Sequence, residues 1–138
     1  MVAMSLPDAW ERWDERPPDG VPMCMMAIDC TGGSVDPMVI ACRHDGWYAP
    51  FVSIPGHEIP AEMAGRAAAG HVIAHRRNNA YMIVDMGGGY GGQPYETLKE
   101  NDVETIKYEG YKASDRRTTD GRLKFHNNRA EAYWRFRE

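Results

Sequence analysis

The sequence predicts an α/β domain with a mixed β-sheet, and three features carry that expectation. Two apolar runs, MCMMAID (23–29) and MVIACRHD (38–45), stand close together at the front and are followed by a hairpin dipeptide, Asp45-Gly46. An alanine-rich stretch with helical character occupies 59–77, and a continuous apolar run, AYMIVD, follows at 80–85. Helical and extended segments then alternate. A chain that opens with a hairpin and continues by alternation forms a mixed sheet rather than a purely parallel, doubly wound one.

Each element has a local reason. TGGSVDP (31–37) reads as a turn, with Gly32 and Gly33 for unusual backbone angles and Asp36-Pro37 to close it. WYAPFVSI (47–54) reads as a third strand, antiparallel to the second, with Pro50 pushing it to an edge or a bulge. IPAEMAGRAAAGHVIAHRR (59–77) carries Pro60 in its first turn, as helices tolerate, while Gly65 and Gly70 weaken it or let it pack closely on a sheet. AYMIVD has no polar alternation, as expected of a strand buried on both faces. PYETLKEN (94–101) reads as a short helix, VETIKYEG (103–110) as an alternating strand, and 111–126 as polar and turn-rich. NNRAEAYWRFRE (127–138) begins with asparagine as an N-cap and continues in helix formers. The expected order is β-ββ-α-β-α-β-loop-α.

At 138 residues the chain is one domain's length, with a sizeable core, and its 43% hydrophobic and 26% charged residues are those of a globular protein. No apolar run approaches the ~20 residues of a membrane span, and no signal-peptide pattern opens the chain, so a cytoplasmic protein without membrane contact is expected. Residues 1–22, acidic and containing Trp and Pro, read as a linker or N-terminal arm, and 23–138 as the domain. Cys24, Cys30 and Cys42 are odd in number, lack a CxxC spacing and read as reduced, buried thiols. The net charge of −4 is unevenly spread. Residues 1–105 hold 7 Lys/Arg against 15 Asp/Glu, a balance of −8; residues 106–138 hold 9 against 5, a balance of +4. An acidic body with a basic last third suits a protein that gathers cations at one place and phosphates at another.

The chemistry concentrates at two strand ends. Asp29 and Asp85 each close an apolar run and each precede glycines; five of the seven residues after Asp85 are glycine. Two carboxylates brought together repel unless a cation sits between them, and Mg²⁺ or Mn²⁺ is the hard, oxygen-preferring kind that suits them. Bare glycine backbone lets a bulky phosphate polymer approach. On the residues alone, both acids are equally ordinary turn residues. A second pattern overlaps the first: Gly87, Gly89 and Gly92 satisfy GxGxxG after a strand, with Glu109 17 residues further on, a dinucleotide fingerprint. Against it stand Pro94 inside the short helix and Asp85 where a pyrophosphate would lie. His71 and His75 are four apart on a helix but lack a third ligand. Trp134 and Phe136 read as core, and Arg76-Arg77 as a solvated pair.

Three stretches together, MMAIDCTGGSVDPMVIAC, YMIVDMGGGYGG and FHNNRAEAYWRFRE, resemble the C-terminal nuclease domain of the large terminase subunit of tailed phages, an RNase H-like family. The resemblance runs from about Met23 to Glu138. It implies an RNase H-like fold and a Mg²⁺- or Mn²⁺-dependent endonuclease that cuts concatemeric double-stranded DNA with two metal ions. Asp29 and Asp85 match the family's first two catalytic, metal-binding acids, and Asp36 is a candidate auxiliary ligand. Arg116, Arg117, Lys124 and Arg129 are candidates for phosphate contacts. The family's third acid lies beyond the helix at 127–138; the chain stops at Glu138, so a truncated domain with its last strand and helix missing is expected. In the whole protein the partners would be an ATPase motor domain, the portal protein and the small terminase subunit; no GxxxxGK[ST] of such a motor is present. A catalytically inactive remnant that binds DNA or protein is the alternative.

Overall fold

The computed structural model describes residues 16–33 and 35–137. Most of the expected arm, residues 1–15, lies outside them, as do Ser34 of the first turn and Glu138. The described residues form two compact units, 16–108 and 109–137.

The larger unit is a mixed sheet of six strands: β1 Met25–Asp29, β2 Met38–His44, β3 Trp47–Tyr48, β4 Val52–Ile54, β5 Tyr81–Asp85 and β6 Thr105–Tyr108. The order is β3-β2-β1-β5-β6, with β4 also on β2. β1 and β2 are antiparallel, whereas β5 is parallel to both β1 and β6. Two helices belong to this unit, α1 Ala64–His75 and α2 Gly92–Glu100. The expected order of elements is present, with the third strand divided. Ala49–Phe51 interrupt it, so β3 and β4 pair with β2 separately. Pro50 has no N–H for a ladder, which accounts for the gap.

The register explains the core. Met26 pairs with Cys42 on one side and Met82 on the other, and Ile28 pairs with Ile40 and Val84. Side chains alternate along a strand, so these two rows lie on one sheet face. All six are buried, together with Ala68, Ala69 and Val72 of α1 and Leu98 of α2. Complete burial of residues such as Ile28, Val84 and Leu98 is worth about 1.5–3 kcal/mol each. Gly65 brings α1 close to α2 rather than to the sheet: a Cβ there would stand 2.3 Å from Cγ of Gln93, whose Oε1 accepts the Gly65 N–H at 3.0 Å. Gly70 is exposed, with open space where a Cβ would stand, and α1 starts later than expected, after two 3₁₀ turns at Gly56–Glu58 and Ala61–Met63.

Three expectations need correction. β5 is not buried on both faces: Tyr81 is exposed and Ile83 half-buried, because the helices cover one face only. Cys24 is exposed rather than buried, lying one residue before β1; Cys30 is half-buried and Cys42 buried, and all three are free thiols. Phe136 is 79% exposed and does not join a core.

In the smaller unit, Phe125 N–H reaches the Arg116 carbonyl at 3.2 Å and Thr118 N–H the Leu123 carbonyl at 2.9 Å. These bonds make a hairpin around Asp120-Gly121, with Arg117 opposite Lys124. Helix α3, Asn128–Arg137, follows. Asn127 caps it as expected, its Oδ1 accepting the Ala130 N–H at 2.9 Å. Among the described residues no helix is long and apolar enough to cross a membrane.

Candidate metal centre

The sheet brings Asp29 and Asp85 together. They end β1 and β5, two hydrogen-bonded parallel neighbours whose last paired residues are Ile28 and Val84. Each aspartate follows that pair by one residue, so the two occupy equivalent positions at the same end of adjacent strands. Adjacent strands run about 4.8 Å apart. Ile28 and Val84 face the helices, so alternation puts both carboxylates on the opposite face.

Asp85 is half-buried and held in place: its Oδ1 accepts the Gly87 N–H at 2.8 Å. This is an Asx-turn, the ordinary turn role of aspartate, and it leaves Oδ2 for another partner. Asp29 is exposed. Cys30 registers both charges. Its thiol is pushed up to about 12, mainly by burial and then by the negative charges of Asp29 and Asp85.

The glycines serve the local backbone. Gly88 and Gly89 have φ of +68° and +85°, and Gly87–Gly89 form a 3₁₀ turn. At Gly91, which is buried, a Cβ would lie 2.3 Å from the Asp85 carbonyl oxygen, so only glycine lets the chain pass back over the strand end. Gly33 has φ +81°, whereas Gly32 yields its space to the ring of Tyr90.

The other candidates fall elsewhere. Asp36 sits in an exposed bend before β2. Among the described residues no group of three His, Cys, Asp or Glu is placed to hold a metal, so Asp36 does not join the Asp29–Asp85 pair in one. His75 Nδ1 meets the His71 carbonyl at 2.8 Å, within one helix turn. Glu109, the acid of the dinucleotide pattern, pairs with Lys112 at 2.6 Å and accepts the Tyr111 hydroxyl at 3.1 Å, while Asp85 occupies the first N–H of the glycine loop. Pro94 is the third residue of α2, where a helix tolerates proline, so that objection to the pattern falls while the other stands.

Three of the expected phosphate-contacting residues lie on the hairpin of the smaller unit. Arg117 and Lys124 face each other across it and are exposed. Lys124 pairs with Asp115 at the surface, at 3.6 Å. Arg116 is tied to Glu131 at 3.7 Å, and Glu131 also accepts the buried Ser114 hydroxyl at 2.6 Å. Arg129 is exposed on the first turn of α3. Tyr90, whose ring lies against both Gly32 and Gly88, was not visible as a candidate in the sequence. Its only signal is an aromatic residue inside a glycine run.

No family model and no curated protein matches the chain. Among solved structures it is similar to a mutant nuclease domain of the large terminase subunit of bacterial virus Sf6 with manganese and beta-thujaplicinol, at 18% identity and a TM-score of 0.60 over 88% of this chain and 53% of that one. It is also similar to a form of the large terminase subunit of bacteriophage Sf6 with calcium, at 15% identity and a TM-score of 0.62 over 91% and 55%. The chain thus spans about half the length of these structures. The likeness shows the fold, a mixed sheet with flanking helices of the RNase H-like kind.

Proposed function

We propose that this chain, having the fold of terminase nuclease domains, is a divalent-metal-dependent endonuclease of a phage DNA-packaging terminase. The supporting observation is that Asp29 and Asp85 each lie one residue beyond the last paired residues, Ile28 and Val84, at the same end of adjacent parallel strands. Their donors are all carboxylate oxygens, the set that Mg²⁺ and Mn²⁺ take. A metal pair bound there would acidify a water and neutralise charge building on the cleaved phosphodiester.

The chain's own residues supply the rest. The Gly87 N–H fixes the Asp85 carboxylate, so one oxygen is set before any ion arrives. Gly87, Gly88 and Gly89 add no side chains of their own beside Asp85, and Tyr90 is the residue of the turn whose ring reaches the neighbouring loop at Gly32. Arg117, Lys124 and Arg129 offer exposed charge to phosphates, which position a duplex without reading its bases. Site choice would then rest on partners, in a whole terminase the motor domain, the portal protein and the small subunit. A host-cell cytoplasmic setting follows from that role.

A second reading is an inactive domain that binds DNA or protein. The observation favouring it is that, among the described residues, no group of three His, Cys, Asp or Glu is placed to hold a metal. Supercoiled-plasmid nicking separates the two. The nuclease reading expects slow nicking in Mn²⁺, none in EDTA, and loss of nicking in Asp85→Asn. Nicking by Asp85→Asn at the parent rate overturns it, and absence of nicking by a parent chain that still binds DNA favours the inactive domain.

A further inference from the structure

We infer that Tyr90 is a positioning residue, whose ring locks the two aspartate-bearing strand ends to each other; this rests on the metal-site reading above. A Cβ built on Gly32 would stand 2.1 Å from Cε1 and 2.4 Å from Cδ1 of Tyr90. A Cβ built on Gly88 would stand 3.6 Å from Cδ2 and 3.9 Å from Cε2. One long edge of the ring therefore lies on the loop after β1 and the other on the loop after β5. The spacing is the same on both sides: Gly32 is three residues beyond Asp29, and Gly88 three beyond Asp85.

The backbone at Gly32 fits this role. That glycine does not need a left-handed conformation; any side chain there would enter the volume of the ring. On the other side Gly91, next to Tyr90, passes so close to the Asp85 carbonyl that the tyrosine is anchored to the end of β5. The ring thus links two loops that the sheet leaves unjoined, since the last paired residues of β1 and β5 are Ile28 and Val84. Beyond that pair, the relative placement of the carboxylates depends on the loops. A metal pair needs its ligands held closely, and groups that hold ligands in place typically contribute 10–100-fold in metal affinity.

The ring, not the hydroxyl, makes these contacts, so phenylalanine can replace tyrosine. The test is Mn²⁺ titration followed by electron paramagnetic resonance, on the parent chain, Tyr90→Ala, Tyr90→Phe, Gly32→Ala and Asp85→Asn. Each is titrated at a temperature where circular dichroism shows it folded. Expected are an affinity lower by about 10- to 100-fold in Tyr90→Ala, a fall in Gly32→Ala, where the new methyl displaces the ring, and the parent's affinity in Tyr90→Phe. Parent-like affinity in Tyr90→Ala, with binding lost in Asp85→Asn, overturns the positioning role and leaves the metal site standing. Equal losses in Tyr90→Phe and Tyr90→Ala assign the effect to the hydroxyl and overturn the role of the ring. Parent-like affinity in Asp85→Asn removes the metal site, and the role of Tyr90 with it.

Discussion

At Asp85 a structural and a chemical role share one carboxylate. Oδ1 closes a turn on the Gly87 N–H, and the charge is the part proposed to act on metal. Asparagine retains the acceptor and removes the charge. Asp85→Asn should therefore melt within about 0.5 kcal/mol of the parent in denaturant while losing nicking. Gly91 behaves in the opposite way. Alanine there meets the Asp85 carbonyl oxygen at 2.3 Å, a backbone atom that cannot turn aside. Gly91→Ala should cost about 1–3 kcal/mol in a urea melt, as overpacking does. The thiols differ in exposure and in ease of ionisation: timed alkylation followed by mass spectrometry should label exposed Cys24 first, with buried Cys42 and Cys30, whose thiol is pushed up mainly by burial, both slower.

At the scale of elements, the dipeptide Asp-Gly is decisive twice. At 45–46 it joins β2 to β3, with Asp45 at φ +52°. At 120–121 the same dipeptide turns the basic hairpin, with Gly121 at φ +72° and Asp120 Oδ1 accepting from the Thr118 hydroxyl and the Arg122 N–H. Those two hydrogen bonds, the hydroxyl's first, hold the Asp120 carboxyl below its usual range. The first hairpin stands out in the sequence because apolar runs flank it; the second, flanked by polar residues, reads only as a turn-rich stretch. The N-cap of α3 was legible because its signal is local: one asparagine before a run of helix formers. Asn127→Ala should destabilise the smaller unit by about 1 kcal/mol, seen as an earlier thermal loss of helical circular dichroism.

At the scale of the whole molecule the basic last third is the surface proposed to bind DNA. If Arg117 and Lys124 bind phosphate, removing either charge should flatten the slope of log affinity against log salt by about 0.9. The Arg116→Ala, Arg117→Ala, Lys124→Ala triple variant should show that flattening, with the smallest share from Arg116, which is already paired with Glu131. Lys124 is available despite its partner, because an exposed pair such as Lys124–Asp115 is worth under about 1 kcal/mol. An unchanged slope, measured by fluorescence anisotropy on a labelled duplex, would mean the duplex follows another surface.

What the sequence determined by itself is whatever local chemistry decides: the order of strands and helices, the interruption at Pro50, the cap at Asn127, and an aspartate followed by glycine at the ends of two apolar runs. Those signals act within a few residues of themselves. The meeting of the two aspartates is of another kind. Asp29 and Asp85 are neighbours because β5 inserts beside β1 in parallel, with Ile28 opposite Val84. A shift of one residue in that register would turn one carboxylate to the helix side, and nothing within either strand specifies the pairing. The same holds for Tyr90, whose partner Gly32 is 58 positions away. Only the tertiary structure decided these contacts, because they depend on how α1 and α2 cover one sheet face and which face that leaves for the acids.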